Sequence, residues 1–334
     1  MKIIKQIIQY ILPLVMAVLL LRYVYRDLSI DTLLAQLAQV KIGWIVVAVV
    51  WSLGSHWVRA YRWKLLLQSL NFYPSLTQAF LALLIGYGSN LFLPRLGELV
   101  RCTVLKKYTN IPYSTSLGTV VSERLIDLVS LLAVLGLTLS VAFQQLQAML
   151  HEVIFTHMNP QALRILGWGS LVFVGFIGLL ISMMRSNQAI QSHAWLLKLQ
   201  GFSQGIWQGI ISIQASHQKL AILFSTVLMW LLYYLAAYVG LLAIPETSNL
   251  SLAAGLAILA MSSVSLTLPV QGGIGAYHLL VSSTIMAYGI SKEPAMLYVT
   301  VMHSSQLLMT LLAAGISLVA GLFYSNKTDQ VSIN

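Results

Sequence analysis

Apolar segments long enough to cross a membrane recur along the whole chain. Charged residues make up only 8% of the sequence and hydrophobic residues 58%, whereas soluble domains carry roughly 25% charge. We therefore predict an all-α, polytopic integral membrane protein with about six full spans, at residues 1–21, 44–57, 115–143, 163–184, 221–244 and 296–323. No stretch is left for a soluble catalytic domain of the usual size of about 100 residues.

Two further apolar segments are interrupted by proline and glycine. Leu76 to Leu93 stops at Pro94, and Ser251 to Leu268 stops at Pro269. Proline cannot continue a helical hydrogen-bond ladder. In both places a Leu-Pro pair is followed, three residues past the proline, by a glycine. Paired, broken hydrophobic segments of this kind point to a transporter binding site. We predict two broken or re-entrant helical hairpins, with tips near 90–96 and 269–275, that meet near the membrane midplane.

The basic residues predict the orientation of these hairpins. With the amino terminus inside, most of the 19 Lys and Arg residues fall on the inner side, as the positive-inside rule requires. The first hairpin then enters from inside and the second from outside, which is an inverted arrangement. The net charge of +10 is assigned to contact with anionic lipid headgroups and not to nucleic acid.

Charged residues are concentrated after the first broken segment and early in the next apolar one. Ionisable residues within a membrane are expensive and are a functional hypothesis by default. We predict that these residues share a polar cavity between helices: Glu98, Arg101, Glu123, Arg124 and Asp127. Glu98 and Arg101, three residues apart, lie on one helix face.

Two arginines follow the second predicted span, interleaved with aromatic residues. Arg59 and Arg62 are predicted to form an interfacial anchor with cations that reach the membrane surface. The alternative is a forked grip on a lipid phosphate. His151 and His157 lack partners at metal-ligand spacing, so we predict a solvated loop there, and no metal or cofactor. Cys102 is the single cysteine, which excludes an intrachain disulfide.

The motifs resemble those of the lysylphosphatidylglycerol synthase transmembrane, or flippase-like, family. The residues that carry the resemblance are Asn90, Leu93, Pro94, Arg95, Gly97, Glu98, Arg101, Glu123, Arg124, Asp127, Pro269, Gly272, Gly273 and Gly275. Gln271 and His278 stand where relatives often have a proline and a glutamate. The resemblance implies one transmembrane flippase-like domain over residues 1–334, in a bacterial cytoplasmic membrane. Because the aminoacyl-transferase domain of some members is absent, it implies translocation and not synthesis.

The expected function is movement of a phospholipid, or of another lipid-linked anionic headgroup, between leaflets. The candidate substrate-binding residues are Asn90, Arg95, Glu98, Arg101, Glu123, Arg124, Asp127, Gly272, Gly273, Gly275 and His278. The arginines would grip a phosphodiester, the carboxylates would orient them, and the glycines would add backbone N–H donors.

Two alternatives stay open at this point. A membrane-embedded lipid enzyme would use Glu98, Glu123 and Asp127 for proton transfer, and an accessory subunit would hold the same charges as a satisfied ion network. The expected partners are the lipid substrate, a second copy of the chain and a separate synthase. No nucleotide-binding motif is present, so transport would be downhill or ion-coupled.

Overall fold

The computed structural model describes residues 15–26, 30–92, 96–150, 218–268 and 270–331, and every regular element within them is a helix. The elements are α1 (Val15–Tyr25), α2 (Ile30–Leu37), α3 (Ile42–Gln68), α4 (Leu76–Phe92), α5 (Gly97–Thr109), α6 (Tyr113–Val141), α7 (Phe143–Leu150), α8 (Lys219–Leu241), α9 (Leu252–Thr267), α10 (Ala276–Met286) and α11 (Lys292–Val331), with a 3-10 turn at Gln271–Gly273. The predicted all-α class is confirmed.

Four of these helices, α3, α6, α8 and α11, are long and apolar enough to cross a membrane. They coincide with four of the predicted spans, because uninterrupted apolar runs of this length are helical in lipid. The first predicted span is described only from Val15, where the shorter helix α1 begins. The predicted span at 163–184 lies outside the described residues, as do His151 and His157.

The first broken segment forms a hairpin, in which α5 folds back along α4. Gln78, in the first turn of α4, donates from Nε2 to the carbonyl of Tyr108 near the end of α5, at 3.1 Å. At the other end, the backbones of Gly86 and Gly97 are in contact, and a Cβ added to Gly86 would lie 2.7 Å from the Gly97 oxygen. Only glycine permits so close an approach. The connection contains Leu93, Pro94 and Arg95, which lie outside the described residues.

The second broken segment forms a hairpin too, in which α9 and α10 pack together. Its connection contains Pro269, which is outside the described residues, and then three glycines with positive φ, Gly272 at 59°, Gly273 at 74° and Gly275 at 84°. Glycine adopts this left-handed region without steric penalty. Gly275 also lies against α1, where an added Cβ would be 2.5 Å from the Cβ of Leu20.

The tips of the two hairpins meet. Gln271 Nε2 donates to the carbonyl of Leu91 at 2.9 Å and to that of Phe92 at 2.8 Å, which supplies partners for two carbonyls at the open end of α4. His303 of α11 lies on the other side of the second tip, with Nε2 at 2.9 Å from the carbonyl of Gly272. The tips therefore meet as predicted, whereas the depth of this contact in the membrane stays a prediction.

A cysteine pair across the tips should crosslink. In a Cys102→Ser background, Phe92→Cys with Gln271→Cys places two thiols where the native side chain and backbone are hydrogen-bonded, so we expect ready crosslinking by a short bifunctional reagent in membranes. The matched control is Phe92→Cys with Ser291→Cys, because Ser291 lies past the far end of α10. Equal crosslinking of both pairs, or of neither, would contradict the tip contact.

Candidate functional site

The charged side chains of three helices meet in one group, the charged cluster. Its members are Arg59, Arg62, Glu98, Arg101, Glu123, Arg124 and Asp127, contributed by α3, α5 and α6, while α8 adds hydroxyl partners. Four arginines face three carboxylates, which leaves one positive charge in excess. A bound anion would balance that excess.

Glu123 is the centre of the charged cluster. Its side chain is fully buried and accepts from Arg59 Nε at 2.6 Å through Oε1. Its second oxygen, Oε2, lies 3.0 Å from Arg101 Nη2, and Arg62 Nη2 approaches Oε1 at 3.7 Å. A single carboxylate on α6 therefore ties α3 to α5.

Asp127, one helical turn after Glu123, binds the same two arginines of α3. Arg62 Nη2 donates to Asp127 Oδ1 at 2.6 Å, and Arg59 Nη2 donates to Oδ2. Two further donors reach α8, where Arg59 Nη1 lies 3.2 Å from the Tyr233 hydroxyl and Arg62 Nη1 lies 3.2 Å from Thr226 Oγ1. Arg62 Nε makes no hydrogen bond with any described residue. Charged groups buried between helices are tolerated when paired in this way.

The anchor interpretation of Arg59 and Arg62 is wrong. Their exposures are 6% and 0%, so neither cation reaches the membrane surface, because both are held by carboxylates of α6. The signal in the sequence was a match of spacing: Arg59 and Arg62 are three residues apart, and Glu123 and Asp127 four apart. Either spacing keeps a pair on one helix face.

Arg124 and Glu98 form the exposed edge of the charged cluster. Arg124 Nη2 donates to Glu98 Oε1 at 2.6 Å, and Arg124 Nη1 lies 3.9 Å from Asp127 Oδ2. The side chain of Arg124 is 45% exposed and that of Glu98 24% exposed. The structure thus brings together all five residues that were expected to meet, with Arg101 and Glu123 inside and this pair at the edge.

Arg101 differs from the other arginines in its hydrogen bonding. It is 2% exposed, and its guanidinium carbon lies 4.7 Å from the centre of the Trp63 ring, a distance at which cation–π attraction operates. Among the residues that the structure describes, Nε, Nη1 and Nη2 of Arg101 find no hydrogen-bond partner, and neither does Glu123 Oε2. Arg101 is therefore held by its ion pair with Glu123 and by the ring face of Trp63, without a hydrogen bond to the described residues.

Asn90 and Arg95 belong to the first tip. Asn90 Oδ1 accepts from the backbone N–H of Gly97 at 2.7 Å, which satisfies one of the unpaired donors at the start of α5. Asn90 therefore shapes the connection between α4 and α5 in this structure. Arg95 lies outside the described residues, so its predicted contact with substrate stays a prediction.

The second tip contributes backbone and aromatic groups. The Gly273 N–H donates to the Val270 carbonyl at 3.2 Å, so one donor expected to face an anion is already in use. His278 is buried among rings, with centroids at 5.9 Å to Tyr25, 6.2 Å to Tyr277 and 5.0 Å to His303. Gln271 joins this tip to the first one, a role that its place in the sequence does not indicate.

Residues 10–314 match the family described as "Lysylphosphatidylglycerol synthase TM region". The match includes both hairpins and all seven residues of the charged cluster. No curated protein and no solved structure matches the chain. Among the residues that the structure describes, no three His, Cys, Asp or Glu side chains are grouped as ligands for a metal ion.

Proposed function

Because this chain belongs to the lysylphosphatidylglycerol synthase transmembrane-region family, we propose that it moves a lipid with an anionic headgroup between membrane leaflets. The family indicates a membrane protein of lipid metabolism or transport. The charged cluster supports the narrower function, since it gathers buried guanidinium groups with one positive charge in excess beside the first hairpin.

The observation that carries the proposal is the guanidinium of Arg101, which is ion-paired with Glu123 but makes no hydrogen bond with any residue that the structure describes. A phosphate leaving water loses several kcal/mol of hydration even after relaxation, and a planar fork of N–H donors is the side chain best matched to it. Arg101 supplies such a fork already buried, oriented by Trp63 and without competing hydrogen bonds. Arg124, half-exposed at the edge, would meet the headgroup first.

The two hairpins would provide the route by which the headgroup passes from one leaflet to the other. Broken helices that meet across a pseudo-symmetric interface are the structural basis of alternating access in many transporters. In our proposal both hairpins are re-entrant, the first from inside and the second from outside, and rocking one tip past the other opens the charged cluster to each leaflet in turn. The setting is the bacterial cytoplasmic membrane, with the amino terminus inside.

Transport is favoured over catalysis by the pairing of the carboxylates. Glu98, Glu123 and Asp127 each have an arginine within 3 Å, so none is left free as a general acid or base. Transport is favoured over an accessory role by Arg101, because a purely structural ion network would satisfy its hydrogen bonds.

A leaflet-resolved lipid analysis tests this proposal in cells. In a strain lacking the gene, we expect at least one anionic phospholipid to accumulate in one leaflet, at unchanged total abundance, and to return to its normal distribution when the wild-type chain is restored. A change in total abundance with normal leaflet ratios would favour the lipid enzyme. Normal abundance together with normal ratios would favour the accessory role.

A further inference from the structure

Two buried histidines meet beside the second hairpin tip and form the histidine pair. They are His278, at the start of α10, and His303 of α11, each 6% exposed, with ring centroids 5.0 Å apart. Neither is a member of the charged cluster. Imidazole is the side chain that ordinarily gains or loses a proton between about pH 5 and 8, and ionisable residues buried in a membrane protein mark ion and proton sites.

The surroundings of the histidine pair are aromatic. The ring of Tyr277 stacks on that of His303 with centroids 4.9 Å apart, and the Tyr25 ring of α1 lies 5.9 Å from that of His278. A third tyrosine nearby, Tyr298 of α11, donates to a carbonyl of α8 at 2.8 Å. The helices α7 and α9, which also pack against α10, contain no titratable side chain. Among the described residues, neither histidine is ion-paired with a carboxylate, so a proton on the pair has no local counter-charge there.

The histidine pair is joined to the contact between the two tips. His303 Nε2 lies 2.9 Å from the carbonyl of Gly272. Because a carbonyl only accepts, the neutral ring carries its proton on Nε2, and a further proton would bind Nδ1. Gly272 directly follows Gln271, which donates to Leu91 and Phe92 of the first tip. A movement that separates the tips therefore also moves the backbone that His303 holds, and exposes the pair to water.

We propose that the histidine pair binds one proton in each transport cycle and that this proton crosses the membrane together with the anionic headgroup. The inference rests on the proposed function, to which it adds the coupling ion. The proton enters from water on one side and leaves to water on the other, and no bond of the lipid changes. A second proton is excluded, because two imidazolium rings 5.0 Å apart would repel each other.

The charge of the charged cluster explains why the proton and the headgroup would move together. Without a ligand, the cluster carries one positive charge in excess, which opposes a further positive charge on the histidine pair, since charges interact over long distances in a protein interior. A monoanionic headgroup cancels the excess and removes this repulsion. The proton and the headgroup together carry no net charge, so their joint passage does no work against the membrane potential.

A pH gradient across vesicles tests the coupling. The purified chain is reconstituted with fluorescent phosphatidylglycerol, the membrane potential is clamped with potassium and valinomycin, and the outer-leaflet fraction is measured with an impermeant quencher. For one proton per lipid, we expect the lipid to accumulate in the leaflet on the more alkaline side, by up to about tenfold per pH unit, because one pH unit is a tenfold difference in proton activity. Reversing the gradient should reverse the accumulation, and protein-free vesicles should show none.

Substitutions locate the proton site. His278→Gln combined with His303→Gln removes both titratable rings and should leave a leaflet ratio near one at every gradient, while the lipid still equilibrates faster than in protein-free vesicles. The matched control is His56→Gln, which removes a histidine of α3 that contacts Tyr87 instead and should retain the response to the gradient. If the double variant does not fold, the response should be lost in at least one of the two single variants.

Three results would overturn the coupling. Rapid translocation by the wild-type chain with no response to the gradient would refute proton coupling and leave the proposed function standing. A response that persists in the folded double variant, or in both single variants, would refute the assignment of the proton to the histidine pair. No translocation by the wild-type chain at any gradient would refute the proposed function, and the coupling with it.

Discussion

Glu123→Gln should lower the free energy of unfolding of this chain more than any other conservative change in the charged cluster. The substitution keeps shape but removes the charge that Arg59 and Arg101 share. Both guanidiniums are buried, and a buried ion pair that loses one partner typically costs about 3–5 kcal/mol. We expect a clear fall in the thermal unfolding midpoint of the purified chain in detergent micelles.

Glu98→Gln is the matched control for that measurement. Its partner Arg124 has a side chain that is 45% exposed, and such pairs contribute about 0–1 kcal/mol. The two variants should therefore differ widely in midpoint, although both remove one carboxylate charge. Equal small shifts would contradict the central place of Glu123 in the fold.

Arg101→Lys should leave the fold intact and slow translocation of an anionic lipid. Lysine keeps the positive charge near Glu123 Oε2 but replaces the planar fork with a point charge. Hydrogen bonds to charged groups contribute about 1.5–3 kcal/mol, so we expect a loss of roughly ten- to a hundredfold in rate. The assay uses a fluorescent phosphatidylglycerol and an impermeant quencher in reconstituted vesicles.

Two controls accompany Arg101→Lys. Arg22→Lys makes the same exchange at an exposed position on α1 and should translocate at the wild-type rate. Arg124→Lys changes the edge of the charged cluster, where the headgroup would enter, and should be slowed too. A folded Arg101→Lys variant with the wild-type rate would leave only a structural role for that arginine.

The sequence was sufficient to predict the long helices and the two hairpins. Continuous apolar runs permit only helices in lipid, and Pro94 and Pro269 each end one. Five residues of the charged cluster were also predictable, because Glu123, Arg124 and Asp127 stand within an apolar segment where solvated charge has no place.

The other two members of the charged cluster, Arg59 and Arg62, were not predictable from the sequence. Arginine interleaved with Trp and Tyr at a helix end is the pattern of an interfacial anchor and of a buried ion network alike. The difference lies in the packing of α3 against α6 and α8, which depends on contacts between residues far apart in the chain. The stacking of Arg101 on Trp63 is hidden from the sequence for the same reason.

At the hairpin tips, the sequence likewise does not indicate which groups Asn90 and Gln271 contact. The contact of Asn90 with substrate stays a prediction, and the structure adds that its amide oxygen accepts from Gly97 across the connection. Gln271 was noted only as a departure from its relatives, and it donates to Leu91 and Phe92 of the opposite tip. Short polar residues beside proline bind backbone and ligands with equal ease, so spacing alone does not separate the two roles.

Headgroup selectivity of the purified wild-type chain is the most direct measurement of its function. Vesicles containing the chain alone are compared with protein-free vesicles, using chain-matched fluorescent phosphatidylglycerol and phosphatidylcholine. The excess positive charge of the cluster and the Arg101 fork, which is ion-paired with Glu123 but makes no hydrogen bond within the described residues, predict that the chain accelerates translocation of the anionic lipid well above that of the zwitterionic one. Equal acceleration of both lipids, or rates no faster than in protein-free vesicles, would contradict an anion-selective translocase.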